Sequence, residues 1–273
     1  MCRVLKVCRS GYYASRIRPV NRRAKENERL LARIKAIHKK SRETYGSPRI
    51  HDALRAEGEP CSKKLVEKLM SKNGIRANPK RKYVVTTDSR HNLPIAANVL
   101  ARKFSVGELN RVWVSDMTYI QTGEGWLYLS VVMDLCSRTV LGWSMGETME
   151  KTLVMCALRM AYQRRRPPAG LILHSDRGSQ YASESYRDLV TGYGMQMSMS
   201  RKGDCWDNAP MESFFGTLKK ELIYRRNYRT RKDARGDIFE YLEVFYNRER
   251  LHSSLGYLSP ADYEKLIVAK RAA

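Results

Sequence analysis

Acidic residues are scarce in this chain. Of its 273 residues only 28 are Asp or Glu, against 51 Lys and Arg, a formal net charge of +23. A surface that basic attracts polyanions over several Debye lengths. Paired cysteines are missing as well. Cys2, Cys8, Cys61, Cys136, Cys156 and Cys205 form no C-x-x-C, so neither a zinc ribbon nor a disulfide framework is indicated, and a reducing cytoplasm fits. The five histidines are dispersed, and His38 and His51 lack the later cysteine pair that a zinc-bound helical module needs. No apolar run is long enough for a signal peptide or a membrane span, and Arg3, Lys6 and Arg9 stand near the N-terminus. No segment pairs a basic cluster with a long apolar stripe, which sets anionic membranes aside. Composition leaves nucleic acid as the partner and the cytoplasm as the expected location.

What is present is enough apolar material, 42% of residues, to bury a core, and a length beyond the usual single domain. The charge is uneven: residues 1–104 hold 27 basic and 8 acidic residues, net +19, whereas 105–273 hold 24 and 20, net +4. In the front part Leu30, Ile34 and Ile37 recur at helical spacing among Arg and Lys, which predicts an amphipathic helix over 24–40. Ser47 and Pro48 supply an N-cap and first-turn pair for a second helix, with Ile50, Ala53 and Leu54 inward and a stop at Gly58. Ser62 caps a third, in which Leu65, Val66, Leu69 and Met70 face inward until Gly74, while Lys63, Lys64, Lys68 and Lys72 lie on other faces. Two helices joined by a turn, the second rich in lysine, make a helix-turn-helix pattern. On spacing alone a plain helical hairpin with a solvated face fits equally; the charge of the region favours DNA. Residues 78–104 have weak periodicity and read as a linker. The expected division is a basic helical DNA-binding region over 1–77, a linker over 78–104 and a second domain over 105–273.

The second domain opens with strands. Val112, Val114, Asp116, Thr118 and Ile120 alternate with Trp113, Ser115, Met117 and Tyr119, so Asp116 sits mid-strand on a mostly apolar face. Strands over 126–135 and 139–145 complete an antiparallel meander, with Gly123 and Gly125 at the first turn. A helix over 150–165, a short strand over 171–175 with Asp176 at its C-terminal end, a helix from about 184, a strand over 195–200, a polar loop and a long helix from Pro210 follow. Meander strands and then helix-linked strands predict an α/β domain with a mixed sheet.

An acid inside an apolar strand is costly if ionised and unpaired, so Asp116 needs a cation, a donor or a proton. Asp176 stands where open α/β sheets bind ligands, outside the carboxyl ends of strands. Glu212 lies in the first turn of the long helix and shares a face with Phe215 and Lys219. Carboxylates suit Mg²⁺, and two such ions about 4 Å apart serve in-line displacement at phosphorus by activating the attacking oxygen and stabilising the leaving one. With 28 acids in the chain, spacing by itself proves little.

Local context is more specific. W-V-S-D-M-T-Y-I around Asp116, H-S-D-R-G-S-Q-Y around Asp176 and M-E-S-F-F-G-T-L-K around Glu212 resemble the integrase core of the DDE recombinases, and 35 residues separate Asp176 from Glu212 as in the D-D-35-E signature of that superfamily. S-M-S-R-K-G-D-C-W-D-N-A, the C-terminal Y-N-R-E-R-L-H-S-S-L-G-Y-L-S-P-A-D-Y and Y-G-S-P-R-I-H near residue 45 resemble the second-frame protein (OrfB) of the IS-three group of bacterial insertion-sequence transposases. The resemblance covers nearly the whole chain. It implies a ribonuclease-H-like core with a mixed five-stranded sheet behind a helix-turn-helix domain. It also implies Mg²⁺ dependence with Mn²⁺ as a substitute, and cleavage and strand transfer at inverted-repeat ends. Carried over by position, Asp116, Asp176 and Glu212 are metal ligands and Lys219 a DNA contact. The implied partners are double-stranded DNA, both terminal repeats and target, a homo-oligomer on that DNA and an upstream-frame transposase protein; when bound, the chain is nucleoid-associated. Asp204 stands where Asn is expected and Cys136 where an aromatic is commoner, departures that bear on loop contacts rather than on the triad.

Other residues keep two readings. Asp134 is a further acid near the metals or a turn cap, and His174 a substrate contact or a hydrogen-bonded core histidine. Trp206 and Asn208 contact a DNA end or belong to an ordinary surface loop. Arg248, Arg250 and His252 bind phosphate or are solvated charge; Arg250 is counted with Lys63, Lys64, Lys68, Lys72, Trp206 and Asn208 among the DNA contacts. Two rival functions stand beside the transposase: a non-catalytic DNA-binding regulator, and a ribonuclease-H-like nuclease acting on another substrate.

Overall fold

The computed structural model describes residues 8–17, 21–77, 93–202 and 204–272. The chain divides into two compact units, Met1–Asn78 and Pro79–Ala273. The first is helical: α1 (Arg9–Ile17), α2 (Arg22–Lys40), α3 (Ser47–Ala56) and α4 (Lys63–Lys72). The side chain of Asn21 caps α2 by accepting from the Arg23 N–H, and Ser62 caps α4 by accepting from the Leu65 N–H. Helix α3 starts one residue earlier than expected: Gly46 holds the cap position without a side-chain bond, and Ser47 is already helical. Leu30, Ile34 and Ile37 of α2, Ile50 and Leu54 of α3, and Val66, Leu69 and Met70 of α4 are buried. Both Arg29 guanidinium nitrogens donate to Glu59 at 2.7 Å, which ties α2 to the turn after α3.

In the second unit five strands form one mixed sheet in the order β3-β2-β1-β4-β5. Strands β1 (Val112–Thr122), β2 (Gly125–Asp134) and β3 (Val140–Gly146) run antiparallel, and helix α5 (Lys151–Arg165) crosses over to β4 (Ile172–Ser175), which pairs parallel with β1. Helices α6 (Ser179–Ala182) and α7 (Glu184–Gly192) lead to β5 (Gln196–Met199), parallel to β4. A 3₁₀ turn, Cys205–Asn208, opens α8 (Ala209–Glu221); α9 (Arg231–Glu240) runs on into a π-helical segment, Tyr241–Glu249, and α10 (Pro260–Ala272) ends the chain.

Both faces of β1 are buried, so it reads as apolar on both registers apart from its small polar residues and Asp116. On one face Val112, Val114 and Ile120 pack with Phe214, Phe215 and Leu218 of α8, Ile238 of α9 and Tyr241, Leu242 and Phe245 of the π-helical segment. On the other, Trp113 packs with Ala157 and Leu158 of α5, Tyr181 of α6 and Tyr186 of α7. The π-helical segment also closes a sheet edge. Asn247 Oδ1 accepts from the Val140 N–H at 2.9 Å and its Nδ2 donates to the Val140 carbonyl at 3.0 Å, pairing β3 as a further strand would.

The expected linker over 78–104 needs correction. Residues 78–92 lie outside the described residues, but the later part is fastened to the sheet. The Val99 and Leu100 N–H groups donate to Ser198 Oγ, Asn98 Nδ2 donates to Asp207, and Leu100 is buried in the core. Weak periodicity signals the absence of regular structure; it says nothing about side-chain anchoring, which is why a fixed extended segment reads as a linker.

Helix α5 lies almost against β3 at Gly142, where a Cβ would stand 2.1 Å from the Ala157 carbonyl oxygen and 2.6 Å from the Ala161 nitrogen. Backbone cannot yield there as a side-chain tip can. Gly142→Ala is expected to cost about 3 kcal/mol, read as a lower urea midpoint at unchanged slope.

Candidate active site

Strand pairing brings the first two acids together. The last parallel pair between β1 and β4 is Val114 with His174; two residues on along each chain stand Asp116 and Asp176. Residues at matched positions of neighbouring strands sit about 5 Å apart and share a face. Both acids line one cleft, of about 410 Å³. Asp116 Oδ1 accepts from the Met117 N–H at 2.7 Å, and Asp176 Oδ1 accepts from the Gly178 N–H at 2.9 Å. Burial and then the Asp176 carboxylate hold the Asp116 carboxyl well above the ordinary carboxylate range, with Glu212 adding to the repulsion and Lys219 opposing it.

Glu212 and Lys219 come from α8, which packs on the same face of β1. Burial raises the Glu212 carboxyl; it also lowers the half-buried Lys219 ammonium, against the pull of Asp116. Lys219 Nζ stands 5.2 Å from the Tyr119 ring centroid. The third acid is within electrostatic reach of the first, but it does not line the cleft. Among the described residues no three His, Cys, Asp or Glu side chains gather closely enough to hold a metal. The chemistry of the donors nevertheless fits a hard divalent cation: oxygen ligands only, with an ionised form that the protein interior disfavours.

The loop before α8 is clamped by charge. Asp207, its side chain fully buried, accepts from Arg201, Arg102 and Asn98 and from the Arg201 backbone N–H. The Arg201 hydrogen bond above all holds its carboxyl below the usual range, against the cost of burial. Asp204, the departure from the expected Asn, pairs with Arg102 and Arg201. This clamp escaped the sequence reading because Arg102 is about a hundred residues away in the chain, inside the presumed linker.

The remaining expected residues separate clearly. Lys63, Lys64, Lys68 and Lys72 are exposed, and the last three line a groove with Arg23 and Asn27 of α2. Trp206 is 67% exposed, free to meet a partner. Asn208 is not: it is buried, its amide atoms have no protein partner, and it does not cap α8. Asp134 is a turn cap, accepting from the Ser137 and Asn110 N–H groups. His174 is a core histidine bonded to the Ser198 and Ser200 hydroxyls. Arg250 is corrected from DNA contact to structural ion pair. Only 4% exposed, it donates twice to Glu221 at 2.8 Å, and although burial opposes its charge, that pairing raises it above the ordinary arginine value. A sequence shows the charge but not the buried carboxylate one helix away.

Residues 108–205 match the integrase core domain family, residues 193–260 a second family of that description, and residues 25–83 the HTH-like domain. These matches, with the mixed five-stranded sheet of a ribonuclease-H-like core, define an enzyme of the DDE-type transposase and integrase class that also carries an HTH-like region. The chain is 46% identical to the insertion element IS600 uncharacterized 31 kDa protein of Shigella sonnei, covering 97% of each. It is 42% identical to transposase InsF for insertion sequence IS3A of Escherichia coli strain K12, covering 97% of this chain and 92% of that one. The chain therefore belongs to the IS3 family of insertion-sequence transposases. The HTLV-2 integrase catalytic core domain in complex with magnesium is 16% identical over 56% of this chain and 95% of that one, with a TM-score of 0.44. No described helix is long and apolar enough to cross a membrane.

Burial pushes His174 down to about 4 from 6.5. Between those values the unfolded chain binds a proton that the folded chain does not, so stability falls as pH drops through this window, by about 3 kcal/mol in all. Denaturation midpoints from pH 7 to 4 should show that slope, and His174→Gln should flatten it. Arg250→Ala, which strands Glu221 in the interior, is expected to cost about 3–5 kcal/mol; the fraction that remains folded should bind DNA as tightly as the parent in a gel-shift titration.

Proposed function

We propose that Asp116, Asp176 and Glu212 are the metal-holding carboxylates of a transposase that cuts a phosphodiester at each end of its element and joins the freed 3′-hydroxyl to target DNA. The reading is carried by one observation: two carboxylates that line one cleft, the first set in the central strand and held well above the ordinary carboxylate range by burial and by the second. Mg²⁺, with Mn²⁺ as a substitute, would lower the energy of the phosphoryl transition state and activate the attacking oxygen, water for cleavage and the 3′-hydroxyl for joining. The three carboxylates would hold the metal. Asp116, rigid in the central strand, would set the position of the reacting phosphate, and the Gly178 N–H would hold Asp176 in orientation. Lys219, within electrostatic reach of Asp116, would meet a phosphate oxygen. No protein nucleophile is required.

Lys63, Lys64, Lys68 and Lys72 supply phosphate contacts to the terminal repeats, with α4 as the reading helix, and exposed Trp206 meets the DNA end. Two ends joined in one event call for more than one protomer on the DNA. Asp176→Asn is expected to reduce both nicking and joining of a terminal-repeat duplex by at least about a thousandfold, while gel-shift affinity stays close to that of the parent. Cleavage that survives this change would remove Asp176 from the chemistry.

A further inference from the structure

The cleft that holds Asp116 and Asp176 does not end at the acids. It continues over an apolar surface made by Tyr119, Trp126, Tyr128 and Met149. Two of these are left to solvent at the rim, Trp126 at 45% and Met149 at 48%. Trp126 lines the same cleft as the acids and belongs to neither core cluster. It is also held firmly. Its ring packs edge-on to Tyr119 with centroids 4.8 Å apart, Tyr119 in turn lies under Lys219, and the Trp126 carbonyl accepts from Arg231 Nε at 3.2 Å. Across the cleft Gln180 is fixed by donating to the Met149 carbonyl at 2.9 Å. Gly178 leaves room for these side chains, since a Cβ there would stand 3.0 Å from Gln180 Oε1 and 3.1 Å from Asp176 Oδ1.

The chemistry of this surface selects its occupant. No side chain that lines it is cationic, and Lys219, 5.2 Å from the Tyr119 ring centroid, is left for the phosphate beside it. Flat aromatic and thioether surfaces with a few polar groups suit a planar, apolar-faced ring. If the acids hold a scissile phosphate, as proposed above, the ring within reach is the nucleobase attached to it. A base stacked in a duplex has both faces covered and cannot enter.

We infer that the cleft formed by Trp126, Tyr119, Tyr128 and Met149 is a subsite for one unpaired nucleobase adjacent to the scissile phosphate, taken out of the DNA end when it binds. The base leaves its stack and rests against the aromatic surface, which offsets the cost of unpairing. Trp126 and Met149 touch substrate without taking part in bond making.

The test uses the full chain and terminal-repeat duplexes with 2-aminopurine next to the scissile phosphate or, as a control, one helical turn inward, with a chelator present so that no chemistry occurs. Fluorescence of the end probe should change on binding while the inner probe does not. Trp126→Ala and, independently, Met149→Ala should abolish or halve that change. With metal restored, Trp126→Ala should slow cleavage about ten- to a hundredfold, and a mismatch that leaves the base unpaired in advance should recover much of the loss, as should Trp126→Phe. A variant that only perturbs folding would not be rescued by a change in the DNA. Normal cleavage without any response of the end probe in the parent complex overturns the subsite and leaves the carboxylate assignment standing. Failure of the parent to cleave any terminal repeat with metal present overturns both.

Discussion

An acid built into a strand that is buried on both faces is the constraint from which this catalytic unit follows. Asp116 is partly exposed only where it lines the cleft, with α8 packed on its own face of the strand and Trp113 on the other. Its backbone is fixed by β2 on one side, where it pairs with Val131, and its strand by β4 on the other. The rigidity of the surrounding sheet thus becomes the positional precision of one carboxylate. The parallel ladder then delivers Asp176 beside it, which raises the cost of ionisation further, and α8 sets Glu212 and Lys219 over the same face. Every later feature of the site is a consequence of how the fold lives with that charge.

Much of this was legible before any coordinates. Alternation about Asp116, the short apolar strand before Asp176 and the proline that opens the long helix each encode a local structure, and the quoted motifs tie them to one superfamily. What local pattern cannot carry is the partner of a charge. Arg250 and the lysines of α4 look alike as letters, yet one is buried on Glu221 and the others are solvated. Arg102 looked like linker composition and is half of a clamp. The Gly46 cap displaced Ser47 because the turn before α3 is extended at that glycine, a backbone choice that the capping preference of serine does not decide. The aromatic surface in the same cleft was invisible for a related reason: Tyr119 and Trp126 belong to neighbouring strands and Met149 to the connection between β3 and α5, and only the folded unit brings them together.

The sequestered acids of this unit also show how one fold separates carboxylates that the chain satisfies from one that it does not. Asp207, Glu221 and Glu264 are each met by donors from the chain: arginines and an asparagine for the first, Arg250 and the Tyr241 hydroxyl for the second, Arg165 with the Ser137 and Thr139 hydroxyls for the third. Even Asp134, which burial pushes up, accepts from two backbone N–H groups. Asp116 accepts from its neighbour's N–H and faces two carboxylates, with Lys219 as the opposing charge. Asp207 and Asp116 are the same residue type, both sunk in protein, and their affinities for a proton move in opposite directions because one is surrounded by donors and the other by acids. Clamping the loop with the first orients the helix that serves the second. A chain that meets its other sequestered acids with donors and leaves Asp116, in an open cleft, facing carboxylates retains there an electrostatic demand that a cation from outside can meet.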